Sequence, residues 1–263
     1  MLPIRRSLIL QALAIVILTA VGALAQDGDD KDPARAAQLV SDAIKARGGD
    51  AYQGIKSVVT RGQYTGFDKG VSGNPISFVD YIVYPGRERT EFGKGDFKLV
   101  QSNSEMGNWV YEAAQKMIRD QTEEQVRGFQ QGLRYDLDHL LMTAAQGKGV
   151  KLSFLGRREA WKNTFSDAIR VDFDDGGSAV LHFDSRSKLP LMIEHKSLTA
   201  EGAVNNETRF YRWVDFGGVQ FPTFQDLYRN GKQSARVSFD TVSFNESVPN
   251  KLFVKPANIK EVK

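Results

Sequence analysis

Apolar and polar positions alternate along this chain with two distinct periods. Ala36, Leu39, Val40, Ala43 and Ile44 recur three or four residues apart, which predicts a helix. Asp32-Pro33 opens it, because Asp caps a helix and Pro starts one, and Gly48-Gly49 closes it. From Val58 the pattern shortens to runs rich in Val, Ile, Phe, Tyr and Trp, divided by Gly, Asn or Pro. These runs predict strands at about 57–66, 76–84, 87–92, 96–101, 107–112 and 115–119. A second series follows at about 150–157, 165–174, 178–184, 189–198, 206–216, 219–229 and 233–244.

Between the two series the period returns to that of a helix. Thr122 and Gln125 have the spacing of a capping box, and Val126, Phe129, Leu133, Leu137, Leu140 and Leu141 form one apolar stripe. The strip 121–146 is therefore an amphipathic helix, with a break expected near Gly132. Turn signals such as Asp175-Gly176-Gly177 and Asn230-Gly231-Lys232 join successive strands, and short turns mean antiparallel hairpins. The fold class is mainly β (α+β): a large antiparallel sheet of roughly a dozen strands that must curl into a barrel or partial barrel. The helices have only its concave face on which to bury their stripes.

The first twenty-five residues change the picture of where this domain works. Arg5 and Arg6 precede an apolar run from Leu8 to Val21, and Ala23-Leu24-Ala25 is a small-x-small cleavage site. The run is shorter than the ~20 residues of a membrane span, and an acidic stretch from Asp27 follows it. Residues 1–25 thus read as a signal peptide cleaved near Ala25 and 26–34 as a flexible lead-in. Residues 35–256 then form a single domain, with a tail at 257–263. The expected location is the periplasm. Arg5 and Arg6 are the only charges in the signal, so the mature chain carries 33 basic and 32 acidic side chains. That near-neutral balance points away from nucleic acid as a partner. The chain has no cysteine, which excludes disulfides, thiol nucleophiles and a lipid-anchoring cysteine after the signal.

Catalytic patterns are absent. There is no serine elbow, zinc-protease helix or phosphate loop. His182, Asp184 and His195 invite a metal site, but hairpin pairing sets His182 opposite Leu191 and His195 about 13 Å along the strand. His139 beside Asp136 reads as a helix-surface pair, and Asp174-Asp175 and Glu123-Glu124 as turn and capping residues. No enzyme activity, metal or cofactor is expected. Aromatic residues are abundant on the strands, and a partial barrel too wide for its own side chains to fill leaves an apolar cavity.

Several segments resemble one family. Asn108-Trp109-Val110-Tyr111-Glu112, then Lys116-Met117-Ile118-Arg119 and a helix, are similar to a signature of the LolA/LolB-like periplasmic outer-membrane lipoprotein carriers. Tyr84-Pro85-Gly86 resembles that family's Pro-Gly turn, Phe183-Asp184 with Lys188-Leu189-Pro190 its hairpin, and Phe253-Val254-Lys255-Pro256 its closing motif. The longer members from environmental bacteria share Gly48-Gly49 with Ile55-Lys56-Ser57, and Gly218-Val219 with Phe221-Pro222.

The resemblance implies an unclosed β-barrel whose concave face is covered by helices acting as a lid. It implies a soluble carrier of lipoprotein acyl chains or other lipid, meeting envelope proteins transiently and acting as a monomer. Where those carriers place a lid-latching arginine before the Pro-Gly turn, this chain has Tyr84. Candidate lid residues are Phe129, Leu133, Leu137 and Leu141. Alternation nominates Phe97, Leu99, Trp109, Tyr111, Ile169, Val171, Phe173, Leu181 and Phe183 for the sheet face. Two other classes stay open: a sensor or interaction module of the same fold, and a hydrolase of an envelope polymer, which a polar cleft with convergent carboxylates would favour.

Overall fold

The computed structural model describes residues 32–199 and 202–262. The expected signal peptide and most of the lead-in lie outside the described residues. The chain begins with α1 (Pro33–Ala46) and a single turn, α2 (Asp50–Gln53). The Asp32 side chain caps α1 by accepting from the Arg35 amide. The first strand series is β1 (Ser57–Asp68), β2 (Val71–Ser72), β3 (Ile76–Val83), β4 (Arg87–Phe92), β5 (Leu99–Asn103), β6 (Trp109–Glu112) and β7 (Met117–Asp120). Two helices follow, α3 (Glu123–Arg134) and α4 (Leu137–Gln146). The second series is β8 (Val150–Trp161), β9 (Thr164–Phe173), β10 (Ser178–Phe183), β11 (Pro190–Thr199), β12 (Gly202–Phe216), β13 (Val219–Arg229) and β14 (Lys232–Phe244).

All fourteen strands belong to one antiparallel sheet ordered β7-β6-β5-β4-β3-β1-β14-β13-β12-β11-β10-β9-β8, with β2 beside β1. β7 and β8 are its unpaired ends, so the barrel is not closed. The chain from β7 to β8 runs through α3 and α4. At the β13–β14 hairpin Asn230 and Gly231 both have positive φ, 49° and 73°, as a tight two-residue turn requires.

Two expectations shift. The strand expected at 96–101 is a 3-10 turn at Gly95–Phe97 followed by β5, which displaces Phe97 from the ladder. The strip 121–146 breaks at Tyr135-Asp136 rather than near Gly132, which sits inside α3. Asp136 causes the break: its carboxylate accepts from the amides of Asp138 and His139 and starts α4 as a new helix.

The main core lies on the inner, helix-covered face. Ala36, Leu39, Val40, Ala43 and Ile44 of α1 and Leu137, Leu140, Leu141 and Ala144 of α4 pack on Phe154, Ile169, Val171, Leu181, Phe183 and Ile193. The outer face has its own cover. Phe253 is fully buried there, and its carbonyl accepts from the Trp109 indole at 2.8 Å and the Ser102 hydroxyl at 3.4 Å. The Leu252 carbonyl accepts from Arg89 at 2.7 Å. The Trp-x-Tyr and closing Phe-x-x-Pro segments therefore meet each other.

Candidate functional site

A cavity of about 600 Å³ lies between α3, the start of α4 and the sheet. Glu88, Ile82, Tyr64, Ala235, Leu227, Phe210 and His195 bring seven neighbouring strands, from β4 to β11, into its lining. Laid flat, seven strands span about 29 Å, so the sheet curls around the space. Phe129 and Leu133 of α3 and Leu137 of α4 form the roof. α3 buries none of its residues completely, whereas α4 buries four. Its C-terminal end is pinned by Arg134, which pairs with Asp175, and by Tyr135, whose ring stacks 3.9 Å from that of His195. Burial lowers the His195 pKa to about 4, so the stacked imidazole is neutral.

The residues nominated from the sequence fall into distinct places. Phe129, Leu133 and Leu137 line the cavity together. Leu141, Ile169, Val171, Leu181 and Phe183 share the inner face but are packed into the core under the helices. Phe173 borders that core, edge-on to Tyr135 at 5.9 Å. Leu99 pairs with Phe92 and Glu112 and is 36% exposed. Trp109 and Tyr111 are directly opposite Ser102 and Val100, on the outer face. Phe97, in the turn before β5, is 88% exposed.

What sequence reasoning missed is the polar wall. Asp80 and Thr90 are cross-strand partners, and the Thr90 hydroxyl lies 2.8 Å from Asp80 Oδ1 and 3.3 Å from Glu88 Oε1. Glu88 and Asp136 both line the cavity. Burial, partly offset by the Thr90 hydrogen bond, raises Asp80 to about 7. Burial and the nearby Asp80 and Asp136 raise Glu88 to about 8. Asp136 keeps accessible surface in the cavity, yet its dense surroundings and Asp138 raise it to about 6. The available signal was Asp80, an acid between the inward-facing Phe78 and Ile82.

Elsewhere Ser166 Oγ lies 2.8 Å from His182 Nδ1, and His182 Nε2 lies 3.2 Å from Glu194 Oε2. The residue types are those of a hydrolase triad with the two ring nitrogens exchanged. Ser166 is fully buried with its hydroxyl 3.2 Å from the Arg158 carbonyl, so it cannot meet a substrate. His182 and His195 point to opposite faces, since their partners across the β10–β11 ladder are Met192 and Ala179. No cluster of three metal-ligating side chains occurs among the described residues.

By sequence the chain matches no family model and no curated protein. By structure it resembles a protein domain from Vibrio parahaemolyticus classed with outer-membrane lipoprotein sorting. That match has a TM-score of 0.54 at 11% identity, over 84% of this chain and 97% of that one. A LolA-superfamily protein from Nitrosomonas europaea gives 0.52 at 11% identity over the same shares. The chain has a LolA-like fold. A DUF1329-family protein from Desulfovibrio piger shares the architecture, with a TM-score of 0.58 at 14% identity over 84% and 97% of the two chains. At such identities the likeness is one of fold alone.

In this version of the LolA-like fold, the position before the Pro-Gly turn still reaches the helices. Tyr84 donates its hydroxyl to Asp138 Oδ2 of α4 at 3.0 Å. Asp138 Oδ1 accepts from Tyr52 at 3.0 Å and pairs with Arg47, which also donates to Tyr52 at 3.1 Å. Arg47 is 1% exposed, and its Nε donates to the Gln220 carbonyl at 3.2 Å. Burial pulls the guanidinium pKa down, but Asp138 and Tyr52 outweigh it and the pKa is raised. The cation paired with Asp138 comes from the end of α1. Gly48, just beyond Arg47, packs so closely that a Cβ there would lie 2.3 Å from the Gly218 carbonyl oxygen. The two Gly-containing segments noted in the sequence meet at this point.

Proposed function

We propose that the protein is a periplasmic carrier that sequesters the apolar part of a lipid or lipoprotein in the cavity under α3. The observation that carries this reading is the roof itself: Phe129 and Leu133 face a cavity of about 600 Å³ from a helix with no fully buried residue. That volume lies in the range of small-ligand pockets. Each buried methylene contributes roughly 0.8 kcal/mol, so one acyl chain supplies useful affinity without any covalent step. The ligand leaves when α3 lifts, while α4 stays fixed through Asp138.

Native mass spectrometry of the mature protein purified from its own envelope, with lipid extraction, tests the reading. Co-purifying acyl lipid or lipoprotein is the expected result. An empty protein that also fails to bind a fluorescent fatty acid would overturn it. A second reading, a hydrolase of an envelope polymer, is favoured by the convergent Asp80, Glu88 and Asp136. Release of soluble fragments from purified envelope polymer would support that reading over carriage.

A further inference from the structure

A second cavity, of about 300 Å³, lies on the other side of the Tyr84–Pro85 turn, between that turn, α2 and α4. Tyr84 and His139 line it, and the same two side chains line the cavity of about 600 Å³ under α3. Their rings lie 5.7 Å apart, so the two spaces are separated by a divider one layer of side chains thick. Exposed Asp136 borders the larger space and exposed Pro85 the smaller, so both reach water close to the divider.

The smaller space is lined for an apolar occupant. Ile55, Pro85 and Met142 contribute aliphatic surface, and Tyr52 and Tyr84 contribute rings. The hydroxyls of both tyrosines are already spent on Asp138, at 3.0 Å each. Asp138 itself is paired with Arg47, and the remaining polar lining is neutral: Gln53, Thr143 and Gln146. Burial lowers the His139 pKa, so its ring in the divider is uncharged at neutral pH. The smaller cavity therefore presents no unpaired charge to a ligand, and its volume is at the lower end of small-ligand pockets.

From this arrangement we infer that the smaller cavity is a second tail chamber, and that the cargo is an amphiphile with two apolar tails, one on each side of Tyr84 and His139. The inference rests on the carrier reading and names the class of its cargo. Two tails joined at one head can straddle a thin divider, with the head in water at its rim. Each tail then gains burial in its own chamber, in proportion to the apolar area it removes from water.

Isothermal titration of the mature protein tests this with two amphiphiles below their micelle concentrations, dodecylphosphocholine and dihexanoylphosphatidylcholine. They share a phosphocholine head and the same number of tail carbons, in one tail or in two. Thr143→Trp and Gln146→Trp each place bulk in the smaller cavity, and neither residue lines the larger one. Each should weaken the two-tailed lipid at least about fivefold and leave the single-tailed one unchanged. Gln146 is exposed at the end of α4, so that variant should fold even if Thr143→Trp does not; circular dichroism checks both. If the single-tailed amphiphile binds but the two-tailed one does not, the second chamber falls and the carrier reading stands. The same holds if the folded variants leave the two-tailed affinity unchanged or weaken both amphiphiles equally. If neither amphiphile binds the unaltered protein, both fall.

Discussion

On the inner face of the β8–β11 half, Phe154, Ile169, Leu181 and Ile193 stand in one row across four strands, and α1 and α4 fill the space above them. The corresponding rows of the β1–β5 half read Thr60-Asp80-Thr90-Gln101 and Ile82-Glu88-Asn103. One half is closed by helices whose stripes match it; the other is left with acids and a loosely seated α3. Burial energy stabilises the fold chiefly through the first half. The second half contributes less stability, since half-buried acids bridged by the Thr90 hydroxyl replace packed apolar side chains there. That half is where a ligand is expected.

The comparison breaks most severely if the apolar half is not the stabilising one. Leu140→Ala removes a fully buried side chain from the α4 seam and should cost about 3 kcal/mol, read by urea unfolding. A loss below 1 kcal/mol would mean that α4 is not structurally anchored. A smaller effect comes from pH. Asp80 and Glu88 hold protons to about 7 and 8 in the fold, against about 4 when unfolded. Between those values the folded state binds more protons, so stability falls as pH rises through this window. Lowering pH from 8 to 6.5 should raise the midpoint of thermal unfolding, with a stability gain that approaches about 1.4 kcal/mol per pH unit for each group protonated in the fold. Below 6.5 the neutral His195 offsets part of the gain, because the unfolded imidazole takes up a proton there. Asp80→Asn/Glu88→Gln should flatten that slope and stabilise the protein at pH 8. The smallest change in stability is expected for Leu133→Ala on α3, under about 1 kcal/mol. That variant should nonetheless weaken binding of a fluorescent fatty acid several-fold. Equal losses of stability for Leu133→Ala and Leu140→Ala would erase the distinction between roof and core.

Apart from β2 and the displaced β5, the strands and α1 were legible in outline because alternation, turn residues and the Asp32 cap agree locally. The central helices were legible as a stripe, but their break was not. Gly132 looked the weaker point, whereas Asp136 capping its own helix decided it. Alternation gives a face only relative to a register, so Trp109 could not be assigned to the outer side without knowing that Phe253 returns to cover it. The roof residues Phe129, Leu133 and Leu137 could be named because helical spacing alone groups them. The Arg47–Asp138 contact joins residues far apart in the chain, and no local pattern announces such a pair.

The order of strands carries a consequence for how the chain is made. Within each flank of the sheet, neighbours in space are neighbours in sequence, so each flank can zip up as its turns emerge. Only β1 with β14 joins distant segments, Val58 lying opposite Phe244. β14 is also the last strand to be synthesised. Until Lys232–Phe244 arrives, β1 shows an open row of amides and carbonyls, the kind of edge through which unfinished chains stick to one another. The seam in the middle of the sheet is thus its final stitch, and β1 keeps an exposed edge until β14 emerges.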